Sequence, residues 1–372
     1  MWNRHRRGLV AALVRGASSV TKCPLGDPSR RGEVVDAMVG VRGVRGRRTA
    51  WIAVVVTFLS VGACGRSGSD SAVDDAPPGR PTVTATVGAG QGPLLDVTVD
   101  GSTGTAYVTS SGDDSLSVID ADERVSTIGV GRAPGGVAVD PSTHTAYVTS
   151  LTEGAVSVVD IGSRAVTGTI AVGAGPQGIE WDPVTHTVYV ANVDADTVSV
   201  IDADTRTVTA TIRVGNQPGG MGVDPSTHSL YVANTGEGGG VSVIDAGTLT
   251  VTDTIAAGKS PHDAAIDPAA RTAYVPNADD GSVSVVDLET RTVTDTLQVG
   301  NQPYGATVDP SAHTVYVTNF GDATVSMIDT ETRTVTDTVP VRDGPQGVAV
   351  DPNSHTAYVV NLTDNTVSVI ER

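Results

Sequence analysis

One phrase recurs along this chain. Residues 140–150 read DPSTHTAYVTS, and close copies begin at Asp182 (DPVTHTVYVAN), Asp224 (DPSTHSLYVAN), Asp267 (DPAARTAYVPN), Asp309 (DPSAHTVYVTN) and Asp351 (DPNSHTAYVVN). Counted from Asp100, these aspartates are spaced by 40, 42, 42, 43, 42 and 42 residues. A period in the low forties that holds four β-type segments is the length of a propeller blade. A unit of that kind cannot bury its apolar faces alone, so the repeat constrains the whole array at once.

The unit from Gly175 to Gly215 shows the parts: GPQGIEWDP, THTVYVAN, DTVSVIDADT and RTVTATIRVG. Each carries a short run of Val, Ile, Thr or Tyr bounded by Gly, Pro, Asn or Asp, which predicts four strands. Period-two alternation, as in Thr197-Val198-Ser199-Val200-Ile201, predicts valines in an inter-blade layer and hydroxyls either on a wetter face or meeting water near the rim. Composition agrees, with abundant Val, Thr, Gly and Asp and only 3% aromatic residues. The chain is all-β.

The last unit ends after TVSVI at residues 366–370 and lacks a fourth strand. Residues 82–88, TVTATVG, match the fourth-strand phrase TVTDTL of residues 292–297 but precede the first unit. The expected architecture is therefore a seven-bladed β-propeller of four-stranded antiparallel blades over residues 82–372. The N-terminal strand would complete the C-terminal blade and remove an open edge.

The repeated polar residues have local roles in this reading. Asp202 and its counterparts Asp120, Asp160, Asp245, Asp287 and Asp329 supply oxygens to tight turns. Asn192, Asn234, Asn277, Asn319 and Asn361 are expected to close the YVxN strand in the same way. His144, His186, His228, His313 and His355 share one slot in five units. Set apart around a ring, they cannot converge on one metal ion, and they are read as structural, bonding turn backbone or a neighbouring aspartate.

Ahead of the repeats, residues 1–63 carry eleven Lys and Arg against three acids. The stretch RGRRTAWIAVVVTFLSVGAC places Arg45, Arg47 and Arg48 before an apolar run that ends in small residues and Cys64, the pattern of an export signal. Val61-Gly62-Ala63-Cys64 resembles the bacterial lipobox, which implies lipidation at Cys64 and a membrane anchor made of acyl chains. The competing reading is a signal-anchor helix over residues 51–63. Residues 1–37 show no periodic pattern, which suits a start site near Met38, and residues 64–81 read as a flexible tether rich in Gly, Ser, Pro and Asp.

From Cys64 onward the chain has 13 basic and 39 acidic residues, a net charge of −26. Such a body repels phosphate backbones, so nucleic acid is not an expected partner; cations and basic surfaces are. The only cysteines, Cys23 and Cys64, lie outside the repeats, so no disulfide framework or CxxC site is available there.

The phrases YVTN (316–319), YVAN (189–192 and 231–234) and TVSVID (197–202) resemble the YVTN family of β-propeller repeats, across residues 82–372. The resemblance implies an exported propeller of bacterial or archaeal surfaces with an interaction role, and it fixes no ligand. The informative residues are then departures from the repeat. The turn into the first strand reads Pro-x-Gly, as in Pro176-Gln177-Gly178 and Pro345-Gln346-Gly347, but Pro261-His262-Asp263 in the fifth unit and Pro303-Tyr304-Gly305 in the sixth. Asp96 takes the slot of Asp263 in the first unit, and Glu180 is the one charge among Thr98, Ala138, Gly222, Ala265, Thr307 and Ala349.

In most propellers this turn faces the central channel, so the candidate binding set is Asp96, Gln177, Glu180, His262, Asp263, Tyr304 and Gln346. No cofactor is called for; a divalent cation on Asp263 and Glu180 is the one addition this set invites. GPQGI at 175–179 also resembles the repeat opening of streptogramin B lyases, which implies, as the alternative, a metal-dependent lyase or hydrolase with His262 as its catalytic residue. The expected function is a non-catalytic, lipid-anchored, extracytoplasmic scaffold, monomeric, that binds a protein or cell-envelope polymer.

Overall fold

The computed structural model describes residues 80–372. The expected export segment 1–63, Cys64 and the tether up to residue 79 lie outside the described residues. What is described forms seven four-stranded sheets, each antiparallel throughout, with a single turn of 3₁₀ helix at Ala278–Asp280. Among the described residues no helix is long and apolar enough to cross a membrane.

Blades 1 to 6 each follow the chain in order, from an innermost strand at the channel to an outermost one. Blade 3, for example, runs Pro176–Asp182, Thr187–Asn192, Thr197–Asp202 and Thr207–Arg213. Blade 7 is composite. Pro345–Val350, Ala357–Asn361 and Thr366–Glu371 come from the end of the chain, and Thr82–Gly88 pairs antiparallel with Thr366–Glu371 as the outer strand. Val87 lies opposite Val367 and packs with Leu94, Val360 and Ile119. The innermost strand of blade 7 touches that of blade 1, so the ring is shut as the sequence predicts.

The core is divided into seven inter-blade layers. Each joins one blade to the next, as where Tyr147, Val156, Val158 and Ile170 of blade 2 meet Ile179, Val188, Val190 and Ile201 of blade 3. A blade is therefore covered on both faces, which corrects the expected wet face of the third strand. Ser199, Ser242, Ser284, Ser326 and Ser368 are all buried.

Those serines show what the YVxN asparagines do. Asn192, Asn277, Asn319 and Asn361 each donate Nδ2 to the serine of the adjacent strand at 2.9 Å, and Asn234 does so at 3.0 Å. They are cross-strand clamps inside the sheet, where the sequence suggested turn caps; a buried serine needs a polar partner once water is gone. The aspartates do cap turns, Asp202 accepting the Thr205 N–H at 2.7 Å and its hydroxyl at 2.8 Å.

The histidine slot is a backbone position. His144, His186, His228, His313 and His355 all have φ between 49° and 60°, as does Arg271, while Gly104 fills the slot in blade 1. This is the left-handed conformation a tight hairpin demands. The backbone carbonyls of His144, His186, His228 and His313 accept an N–H from the third-strand end. His355 bonds the buried Asp309 carboxylate of blade 6 at 2.7 Å, and His186 lies 3.7 Å from Asp204.

Candidate functional site at the channel mouth

The turn that opens each innermost strand is crowded. A Cβ on Gly178 would collide with the Gly219 carbonyl oxygen of the next blade, and one on Gly136 or Gly305 with the corresponding carbonyl of Gln177 or Gln346. Glycine at the third place of Pro-x-Gly is therefore a packing requirement. The residue before it also lines the bore, as Gly135 and Gly219 in blades 2 and 4 and as Leu95, Gln177, His262, Tyr304 and Gln346 in the others.

All seven candidate residues line one cavity of about 410 Å³. They come from five blades: Asp96 from blade 1, Gln177 and Glu180 from blade 3, His262 and Asp263 from blade 5, Tyr304 from blade 6 and Gln346 from blade 7. The volume is in the range of small-molecule sites. The sequence reading named Thr98 and Thr307 only as uncharged counterparts of Glu180, yet both also line the cavity. Their shared register with Glu180 was the available signal. Also missed were Thr109, Thr149 and Thr318, whose hydroxyls donate to the next blade's carbonyls at Gly135 (2.6 Å), Gln177 (3.0 Å) and Gln346 (2.7 Å) and stitch the mouth together.

Blades 1 and 5 solve the glycine problem differently. The Asp96 carboxylate accepts the Val97 N–H at 2.9 Å on Oδ1 and the Val137 N–H of blade 2 at 3.0 Å on Oδ2. Asp263 accepts the Ala264 N–H at 2.8 Å and the Ala306 N–H of blade 6 at 3.1 Å. In blade 5 the turn also interrupts pairing, leaving an innermost strand of only Ala265–Asp267 with an isolated bridge from Pro261 to Asn277. Pro276 stands where other blades have threonine, alanine or valine, and its carbonyl takes the His262 N–H at 3.0 Å while the His262 carbonyl takes the Gly220 N–H at 2.9 Å.

The His262 ring stacks on Tyr304 with centroids 4.3 Å apart and planes 29° apart. Burial pushes His262 down to about 4, so at neutral pH its ring is uncharged. Burial raises the Tyr304 hydroxyl, an effect partly offset by the neighbouring Gln346 and Gln177 side chains. Gln346 is 8% exposed, and its Oε1 has no hydrogen-bond partner.

Three carboxyls share the bore, and no Lys or Arg lines it. Burial pushes Asp96 up to about 6 and Asp263 to about 7 despite two backbone N–H donors each. Glu180 has no such donor. Burial, then the charges of Asp263, Asp96 and Asp182, carry it to about 8. Each of the three keeps some surface on the channel, where confined water solvates a charge less well than bulk water does.

The metal implied by the lyase resemblance does not fit this donor set. Among the described residues no three His, Cys, Asp or Glu side chains gather in a way that holds a metal ion. Both oxygens of Asp96 and of Asp263 are turned to backbone N–H groups, and His262 lies flat against Tyr304.

Against known proteins, a family model described as "Lactonase, 7-bladed beta-propeller" matches residues 207–372, which include His262, Asp263, Tyr304 and Gln346. No curated protein sequence matches the chain. Among solved structures, Kuenenia stuttgartiensis hydrazine synthase is similar at a TM-score of 0.66 and 22% identity, over 76% of this chain and 96% of that one. A chain from a crystal structure of the mitotic checkpoint complex is similar at a TM-score of 0.70 and 15% identity, over 86% and 98% of the two chains. At such identities these likenesses speak to the propeller fold alone.

Proposed function

We propose that this protein is an exported, lipid-anchored propeller of the YVTN kind that binds a protein or cell-envelope ligand at its channel mouth and does not catalyse a reaction. The observation that carries the reading is the convergence of five departures from the repeat, Asp96, Glu180, His262, Asp263 and Tyr304, on one cavity. In an array whose other polar residues hold turns and strands together, these side chains converge on an open bore. Lipidation at Cys64 and export follow from the leading segment, and the body's excess of acid favours a basic or polar partner. The test is a thermal-shift screen of cations, metabolites and envelope fragments against the wild type and the double variant His262→Ala, Asp263→Ala. A shift present in the first and absent in the second supports mouth binding. A shift that survives both substitutions places binding elsewhere.

The second reading is a lactone hydrolase, favoured by the lactonase family match over residues that include His262 and Asp263. In it, a carboxylate titrating near neutrality, Asp263 at about 7, would act as general base toward water. Proton release from simple lactones in a pH-stat, lost in Asp263→Asn, would support it. Equal rates with wild type, variant and buffer would remove it.

A further inference from the structure

The bore holds Asp96, Glu180 and Asp263 with no Lys or Arg on its wall. Confined carboxyls without a counter-charge must take up protons or a cation. A divalent metal is a poor match for the donor set, as described above. The remaining wall suits an organic cation. Ile179, Met221 and Ile266 give apolar surface for a short carbon stem, and the Tyr304 ring, stacked on one side by neutral His262, offers an aromatic face. Gln346, 8% exposed and with an Oε1 that no protein group bonds, lines the same cavity and marks a polar demand the protein leaves unmet there.

We propose that the channel mouth recognises a primary alkylammonium group, its head held by Glu180 between Asp96 and Asp263 and its stem against the His262–Tyr304 pair. This rests on the mouth-binding reading above and names the chemistry it selects. Glu180 is the key carboxyl because it accepts no hydrogen bond from the protein, whereas both aspartates have their oxygens engaged by backbone N–H groups. The titratable groups around it are Asp96, Asp263, Asp182, His262 and Tyr304. None is a cation at neutral pH, so the ligand brings the only positive charge. At pH 7 Glu180 is largely protonated, and an arriving ammonium ionises it, the carboxyl proton passing to bulk buffer.

The experiment uses the full-length chain at pH 7 and constant sodium concentration. n-Butylammonium and the peptide acetyl-Gly-Lys-Gly-amide represent a free amine and a lysine presented by a larger ligand; n-pentanol and butyrate are the neutral and anionic controls. Thermal shift gives affinity, and an indicator dye in weak buffer counts protons. The expected result is stabilisation by an ammonium probe but by neither control, with release approaching about one proton per bound cation. In Glu180→Gln the dissociation constant should rise by about tenfold or more and the proton release should fall, leaving only what Asp263 and Asp96 give up. That variant keeps its fold, since the Glu180 carboxyl makes no hydrogen bond. Asp253→Asn, the same carboxyl-to-amide change on the exposed outer strand of blade 4, should behave as wild type. Preference for the peptide over n-butylammonium assigns the site to a protein-borne lysine, and the reverse to a free amine. Stabilisation by n-pentanol that His262→Ala, Asp263→Ala abolishes would overturn the ammonium assignment and leave the mouth as a binding site. Ammonium binding equal in wild type, Glu180→Gln and the double variant overturns both readings, and absence of any ammonium shift overturns the assignment.

Discussion

Asp96 and Asp263, four blades apart, make the same two bonds: each carboxylate accepts the N–H of the following residue and the N–H at the matching place in the next blade. Side chains that look like ligands are thus also staples between blades 1 and 2 and between blades 5 and 6. Replacing either by alanine strands two N–H groups at the channel wall. The expected cost is about 1–3 kcal/mol, read as a lower urea midpoint. Asparagine, which keeps one acceptor, should cost less than alanine. No loss in either alanine variant would remove the staple.

The glycines of Pro-x-Gly make a sharper steric prediction. Gly178→Ala drives a methyl into the Gly219 carbonyl, whereas Gly129→Ala, also in a strand, meets nothing within 4 Å. The first should destabilise by about 1–3 kcal/mol and the second should be neutral or slightly stabilising. Equal melting temperatures for the two variants would show that the blades can slide apart at no cost.

Ring closure is tested at Val87, which is 8% exposed in the layer between blades 7 and 1. Val87→Asp buries a charge without a partner and loosens Thr82–Gly88 from Thr366–Glu371. We expect a melting temperature several degrees lower and concentration-dependent aggregation through the bared strand edge. The same substitution at Val251, 37% exposed on an outer strand, should be tolerated.

The carboxyls of the bore give stability a pH dependence of known sign. Glu180, Asp263 and Asp96 titrate at about 8, 7 and 6 when folded, against ordinary values of 4.5 and 3.8, so the folded state holds more protons than the unfolded chain. Their contribution is most favourable below the ordinary values and declines as pH rises, ending above about 8. Glu180→Gln should flatten that decline and be more stable than wild type at alkaline pH. His262 has the opposite slope: held at about 4 against 6.5, it withdraws stability as pH falls through that window. Its ring proton resonance should stay unprotonated in position until pH nears that lower value; a midpoint near 6.5 would show a ring open to bulk water.

Why some of this was readable in the sequence and some was not follows from what repeats. Period and strand content are written over and over, and closure once, since TVTATVG at 82–88 could be matched to its missing place by its letters alone. Five of the seven mouth residues, Asp96, Glu180, His262, Asp263 and Tyr304, were visible as breaks in that text, and Gln177 and Gln346 as the variable place in a regular turn. What they touch was hidden, because the partners of Asp263 and Tyr304 lie in other blades, and a bond from Asp263 to the Ala306 N–H has no local signature. The asparagine clamps were misread for a related reason: a period-two pattern assumes one wet face, and a blade has none in its middle strands.

Sharing the last blade between the two ends of the array also sets an order of events during synthesis. Thr82 faces Glu371, so among the first residues of the body to leave the ribosome is a strand whose partner is among the last. Until then Thr82–Gly88 waits unpaired while six sheets mature behind it. Any factor that shields this early strand, or slows the final turn of elongation, would govern how much chain reaches the finished ring.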